Sequence, residues 1–185
     1  MGLREVPYEK LEELISSCLC DQESEDTAEL IRRLRPARRR GYLTPGELEE
    51  ICRWKSPRAL HHIKANTARR VRAATSAALH TRSERRRLEA LVALSGVSVP
   101  MASAILMLLD PMRYGVIDIR VWQLMHKVGA VGKNARGTGF TFANWYQFLM
   151  IIRHFAKKFD VSARLIELTL FLAHKAYQDG TLYFD

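Results

Sequence analysis

At 185 residues and 48% hydrophobic content, the chain is long enough for one domain with a sizeable core. Its longest apolar run, Val99 to Leu109, falls far short of the ~20 residues a membrane span needs, and MGLREVPYEKLEEL carries acids where a secretory signal wants apolar residues, so a cytoplasmic location is expected. Net charge is +9, and the excess is local: between Arg32 and Arg87 stand 17 basic residues against Glu47, Glu49, Glu50 and Glu84, an electrostatic footprint for a polyanion.

Apolar residues recur at helical spacing almost throughout, so the chain is read as all-α, with eight to ten helices. The first spans Tyr8 to Leu19, with Leu11, Leu14, Ile15 and Leu19 on one side. Thr27 is read as the cap of a second that runs through Leu34 and is interrupted by Pro36 and Gly41. Thr44-Pro45-Gly46-Glu47 is a capping box with proline in the first turn, opening a helix to about Trp54. His61 to His80 reads as one long helix rich in alanine and arginine. Ser83 opens another towards Leu94.

A tight turn, Ser95-Gly96-Val97-Ser98, follows, and a short apolar helix runs from Val99 to Leu109, ending at Asp110-Pro111. Ile119 to Val128 is helical, and Gly129 to Gly139 is a glycine-rich basic loop. That loop lacks the preceding strand and the GK[ST] of a phosphate-cradling loop, so it is read as solvated. Thr141 starts a helix from Phe142 to Phe159, and Ser162 caps the last one, through Tyr177.

Cys18, Cys20 and Cys52 have neither redox nor zinc spacing, so no metal site is expected. The turn at Gly96 offers more. Two short helices around a glycine turn present backbone N–H groups at a helix N-terminus, an arrangement that favours anions. Gly96 permits the close approach or positive φ such a turn demands, and Ser98 can cap the next helix. Twenty residues on, Asp118 stands alone between Ile117 and Ile119. It is either a reactive carboxylate or simply the N-cap of the helix at Ile119, and the two roles are compatible.

LEALVALSGVSVPMASAIL followed by YGVIDIRVW resembles the helix-hairpin-helix and aspartate segments of the base-excision DNA glycosylases related to endonuclease III. The resemblance covers roughly Arg53 to Trp122. It implies one two-lobed helical unit over residues 1–185. A bundle over 27–112 would carry the hairpin at 94–100, and residues 1–26 with 113–185 would form the second lobe. It also implies that Asp118 acts at an extruded nucleotide while Gly96, Val97 and Ser98 hold a phosphate. Bifunctional members place a lysine where this chain has Pro100, so the match implies base hydrolysis without lyase action. The cysteines that hold an iron–sulfur cluster in many relatives have no counterpart after Cys52; a structural monovalent cation at the hairpin is the single cofactor the resemblance suggests.

Further contacts to double-stranded DNA are assigned to Trp54, Lys55 and Arg58 at a pocket, to Lys64 and Arg69 along the backbone, with Asn66, Arg70 and Arg72 beside them, and to Arg120. No second catalytic acid is identified; Glu47, Glu49 and Glu50 read as solvated. The protein is expected to act as a monomer on DNA, nucleoid-associated in a bacterium. The competing readings are a non-catalytic helix-hairpin-helix nucleic-acid-binding protein and a helical protein-interaction domain.

Overall fold

The computed structural model describes residues 5–178. Ten α-helices account for most of them: α1 (Leu11–Cys18), α2 (Glu25–Arg40), α3 (Pro45–Lys55), α4 (Leu60–Lys64), α5 (Ala68–His80), α6 (Glu84–Val92), α7 (Val99–Leu109), α8 (Ile119–Lys127), α9 (Phe142–Phe159) and α10 (Ala163–Tyr177). A 3-10 turn, Pro57–Ala59, links α3 to α4. The described residues contain no β-strand, so the protein is all-α. None of these helices is long and apolar enough to cross a membrane.

The core is organised on α7. Every residue from Met101 to Leu109 is buried, which is why this segment is apolar all round rather than striped. Helices α2, α3, α6 and α9 pack on it. Each large side chain so buried contributes about 1.5–3 kcal/mol. Farther along, α8 and α9 pack on α10, and α1 lies against α10 as well.

Three expectations about helix boundaries are corrected. α2 does not stop at Pro36 but runs on to Arg40, where the N–H of Gly41 closes on Ala37 O at 2.9 Å. Leu30, Leu34 and Ala37 form one buried stripe across the proline, while Pro36 itself faces solvent. Pro36 has no N–H to offer the Arg32 carbonyl, but Arg32 is itself an exposed residue, and the buried stripe outweighs the lost bond. Thr27 is not the cap: α2 begins at Glu25, and the Thr27 hydroxyl is buried, bonded to Ser24 Oγ at 2.9 Å.

The single helix expected from His61 to His80 is two. Asn66 breaks it by turning its side chain onto other backbone. Its Nδ2 donates to Ile63 O and Ser95 O, both at 2.9 Å, and its Oδ1 accepts Ser95 N–H at 2.9 Å. Thr67 then caps α5 through Arg70 N–H. The side chain of Asn66 is therefore spent holding the turn at Ser95, not directed at a partner in solvent.

Candidate functional site

The hairpin has the form the sequence suggested. α6 ends at Val92, Val97 N–H closes the turn on Leu94 O at 3.2 Å, and Ser98 Oγ caps α7 by accepting Met101 N–H at 3.4 Å. Gly96 adopts φ +77°, and a Cβ there would stand 2.8 Å from His62 Cβ and 3.3 Å from Ala59 O. Glycine is thus required twice, by the backbone angle and by the turn's close seat against α4. Val97 turns its side chain into the core, so its contribution to any surface is confined to backbone.

Three carbonyls at the turn accept hydrogen bonds. Ala93 O accepts Arg70 Nη2 at 3.1 Å, Leu94 O accepts Val97 N–H, and Ser95 O accepts Asn66 Nδ2. Arg70 thereby brings a guanidinium onto the backbone at the end of α6. No group of three or more His, Cys, Asp or Glu among the described residues could hold a metal ion.

Asp118 caps α8, its Oδ1 accepting Val121 N–H at 3.0 Å. Its other oxygen lies 3.6 Å from Lys55 Nζ, and both side chains are largely enclosed, 14% and 19% exposed. The N-cap reading of this aspartate holds: one oxygen caps α8, and the other faces an amine at the edge of open space. That space has two compartments, and Asp118 and Lys55 line both.

The first compartment, about 530 Å³, lies between α3, α8 and α10 and includes Trp54, Arg120, Arg164, Glu167 and Phe171. Trp54 is fixed at its rim, the indole N–H donating to Thr27 Oγ1 at 3.1 Å. Arg120 lies 5.4 Å over the Phe171 ring, and its Nε donates to Gln178 Oε1 at 3.3 Å. Two aromatic planes, three carboxylates (Glu23, Asp118, Glu167) and three cations (Lys55, Arg120, Arg164) therefore face one cavity. An aromatic wall with paired donors and acceptors suits a planar, polar heterocycle.

The second compartment, about 490 Å³, is a groove between the hairpin and the loop that precedes α9. Gly96, Ser98 and Pro100 form one wall, Gly137 to Phe140 the other, and Arg58 borders it. The loop is less solvated than its composition suggested. Trp122, fully buried, donates its indole N–H to Asn134 O at 2.8 Å, and Gln123 Nε2 donates to Arg136 O at 3.1 Å, so α8 holds the loop in place.

Glu167 is the residue that sequence reasoning missed. It is 1% exposed, and its Oε2 accepts Val116 N–H at 3.1 Å and is bonded to Arg164. Arg164 also reaches Glu23, with Nη2 to Oε1 at 3.1 Å. Burial pushes the Glu167 carboxyl up; the Arg164 guanidinium opposes the shift and the nearby Asp118 charge adds to it. Gly115 makes this possible, since a Cβ there would meet Glu167 Cβ at 2.7 Å. The available signal was a carboxylate on the buried stripe of an amphipathic helix, between Ile166 and Leu170.

The remaining assignments divide. Lys64, Arg69 and Arg58 are exposed on the side of the chain that leads into the hairpin. Glu47, Glu49 and Glu50 lie outside both compartments, bound to Arg40, Arg53 and Arg33. Comparison with family models, curated proteins and solved structures found no match to the chain.

Proposed function

We propose that this protein is a monofunctional DNA glycosylase that hydrolyses the N-glycosidic bond of a damaged or modified base in double-stranded DNA. The observation that carries the reading is the position of Asp118, which lines both a cavity of about 530 Å³ and the groove beside the hairpin. A nucleotide extruded from a duplex needs this pairing: a pocket for the base, a cradle for its phosphate, and the reacting bond between them. The cavity falls within the ~300–1,000 Å³ of small-molecule sites.

The chemistry follows from the charges. As the C1′–N bond breaks, the sugar gains oxocarbenium character, and an enclosed carboxylate stabilises that charge or directs water to it. Asp118 Oδ2 would supply the charge while its Oδ1 stays on Val121 N–H. Trp54 and the Arg120 guanidinium, itself packed on the Phe171 ring, would flank the base. The amides of Ser98 and Gly96 would take the phosphate, with Arg58, Lys64 and Arg69 adding sequence-independent affinity. A two-lobed arrangement is in keeping with the helix pairings: α2 to α7 pack among themselves, α1, α8 and α9 pack on α10, and α9 joins the two groups through α6 and α7. A monomer acting on the nucleoid is in keeping with this reading.

A second reading, a non-catalytic helix-hairpin-helix nucleic-acid-binding protein, is favoured by one specific observation. Both oxygens of Asp118 have partners, Val121 N–H and Lys55, which a purely structural cap also explains. A panel of duplexes carrying single base lesions, read by alkali cleavage of abasic sites, separates the two. Release of any base supports the glycosylase; salt-dependent binding with no release across the panel supports the binding protein.

A further inference from the structure

We propose that the end of α7 remote from the hairpin carries a docking site for a partner protein, centred on Met112 and Arg113. Its occupant is an acidic segment that also bears apolar side chains. The face lies about 15 Å along α7 from the hairpin and outside both the cavity and the groove. It therefore stays open while those two are filled, and it does not depend on the glycosylase reading.

Glu84, the first residue of α6, is the node of the charge here. Its carboxylate accepts Arg153 Nη2 at 2.9 Å, the Tyr114 hydroxyl at 3.0 Å, Arg87 Nε at 3.1 Å and Arg113 Nη2 at 3.5 Å. One carboxylate thus answers three guanidinium groups. Arg38 has its own partner, Asp110, at 3.1 Å, and Lys157 shares its rim with Asp160, so neither pair offsets the excess. A surplus of two positive charges is left around Glu84. Arg113 carries it outward. Its side chain is 56% exposed and its contact with Glu84 is the longest of the three, so it has N–H groups to give.

Arg113 also joins two hollows. One, about 240 Å³, has Leu79, Leu106 and Leu109 behind Arg38 and Tyr114. The other, about 390 Å³, sets Met112, Ala156 and Val161 between Arg153 and Lys157. Met112 is 65% exposed, the most of any large apolar side chain among the described residues. An unbranched thioether packs against apolar groups of many shapes, which suits it to a docking surface. Charge complementarity decides the occupant. A carboxylate-rich segment neutralises the surplus, and its apolar side chains cover Met112. A DNA backbone would answer the charge and leave the methionine in water.

The full chain is titrated into three labelled ten-residue peptides. One alternates Asp with Leu and Phe, one has Asn for every Asp, and one has Ser for every Leu and Phe. Binding is read by fluorescence anisotropy, and the folding of each variant by circular dichroism. The proposal predicts that the first peptide binds and that the other two bind more weakly by about tenfold or more. Met112→Ser and Arg113→Ala, both at exposed positions, should each weaken the first peptide by about fivefold or more. No binding of that peptide at about 1 mM overturns the proposal. Equal binding of either control does so too, as does an unchanged affinity in both variants. Displacement of the peptide by an undamaged duplex also overturns it and makes the face a nucleic-acid surface. Base release, read by the lesion panel, is untouched by all of these outcomes.

Discussion

Asn66 and Ser95, 29 positions apart in sequence, bond each other in both directions: Asn66 Oδ1 accepts Ser95 N–H and Asn66 Nδ2 donates to Ser95 O, each at 2.9 Å. One side chain thereby ends a helix and fixes the register of the hairpin turn against α4. Asn66→Ala leaves those backbone groups unpaired and is expected to destabilise the fold by about 1–3 kcal/mol in urea unfolding. A loss below about 0.5 kcal/mol would show that the clamp is incidental.

Arg164 stands between Glu23 and Glu167 and balances two carboxylates at once. Arg164→Met strands a carboxylate that is 1% exposed, so a loss of about 3–5 kcal/mol is expected in chemical denaturation. Adding Glu167→Gln should recover part of it. A double variant no more stable than the single one contradicts the coupling.

Burial pushes the His174 imidazole from its ordinary 6.5 down to about 4, with the Arg120 charge adding and Asp118 opposing. The unfolded chain then binds the proton more readily than the fold. Stability is full above pH 6.5, declines as the pH falls below it, and reaches its floor below pH 4. Between pH 6.5 and 5 this group alone should remove about 2 kcal/mol. The check is the difference between the stability profiles of wild type and His174→Gln over that window; parallel profiles would exclude the histidine as the cause.

Lys64 and Arg69 are exposed and carry no assigned chemistry, so they isolate the electrostatic part of binding. Replacing either by alanine should weaken duplex binding equally across sequences and lower the slope of log K against log salt by about 1. An unchanged slope in both variants would place the DNA elsewhere on the surface.

Much of the architecture was written locally. Thr44, Ser98, Thr141, Ser162 and Asp118 all cap helices where the sequence places them, because capping needs only a short polar side chain and the residues just after it. What failed depended on distant partners. Pro36 looks like a stop until Leu34 and Ala37 are seen buried on either side of it, and Asn66 looks like a surface residue until Ser95 arrives. Glu167 is hidden for much the same reason: Arg164 is its neighbour one turn back on α10, but Val116 and Asp118 are brought to it by the fold. The Lys55–Asp118 contact joins positions 63 residues apart (118 − 55), and no local pattern announces it.

The central claim is that Asp118 stabilises the charge formed as a base leaves. The most direct measurement compares wild type with Asp118→Asn under single-turnover conditions, on whichever lesion duplex the panel identifies, with binding measured in parallel. Asparagine keeps an oxygen for Val121 N–H and so preserves the cap. The account predicts that base release falls by about 100-fold or more while the dissociation constant changes less than about threefold. Base release by Asp118→Asn at the wild-type rate would contradict it.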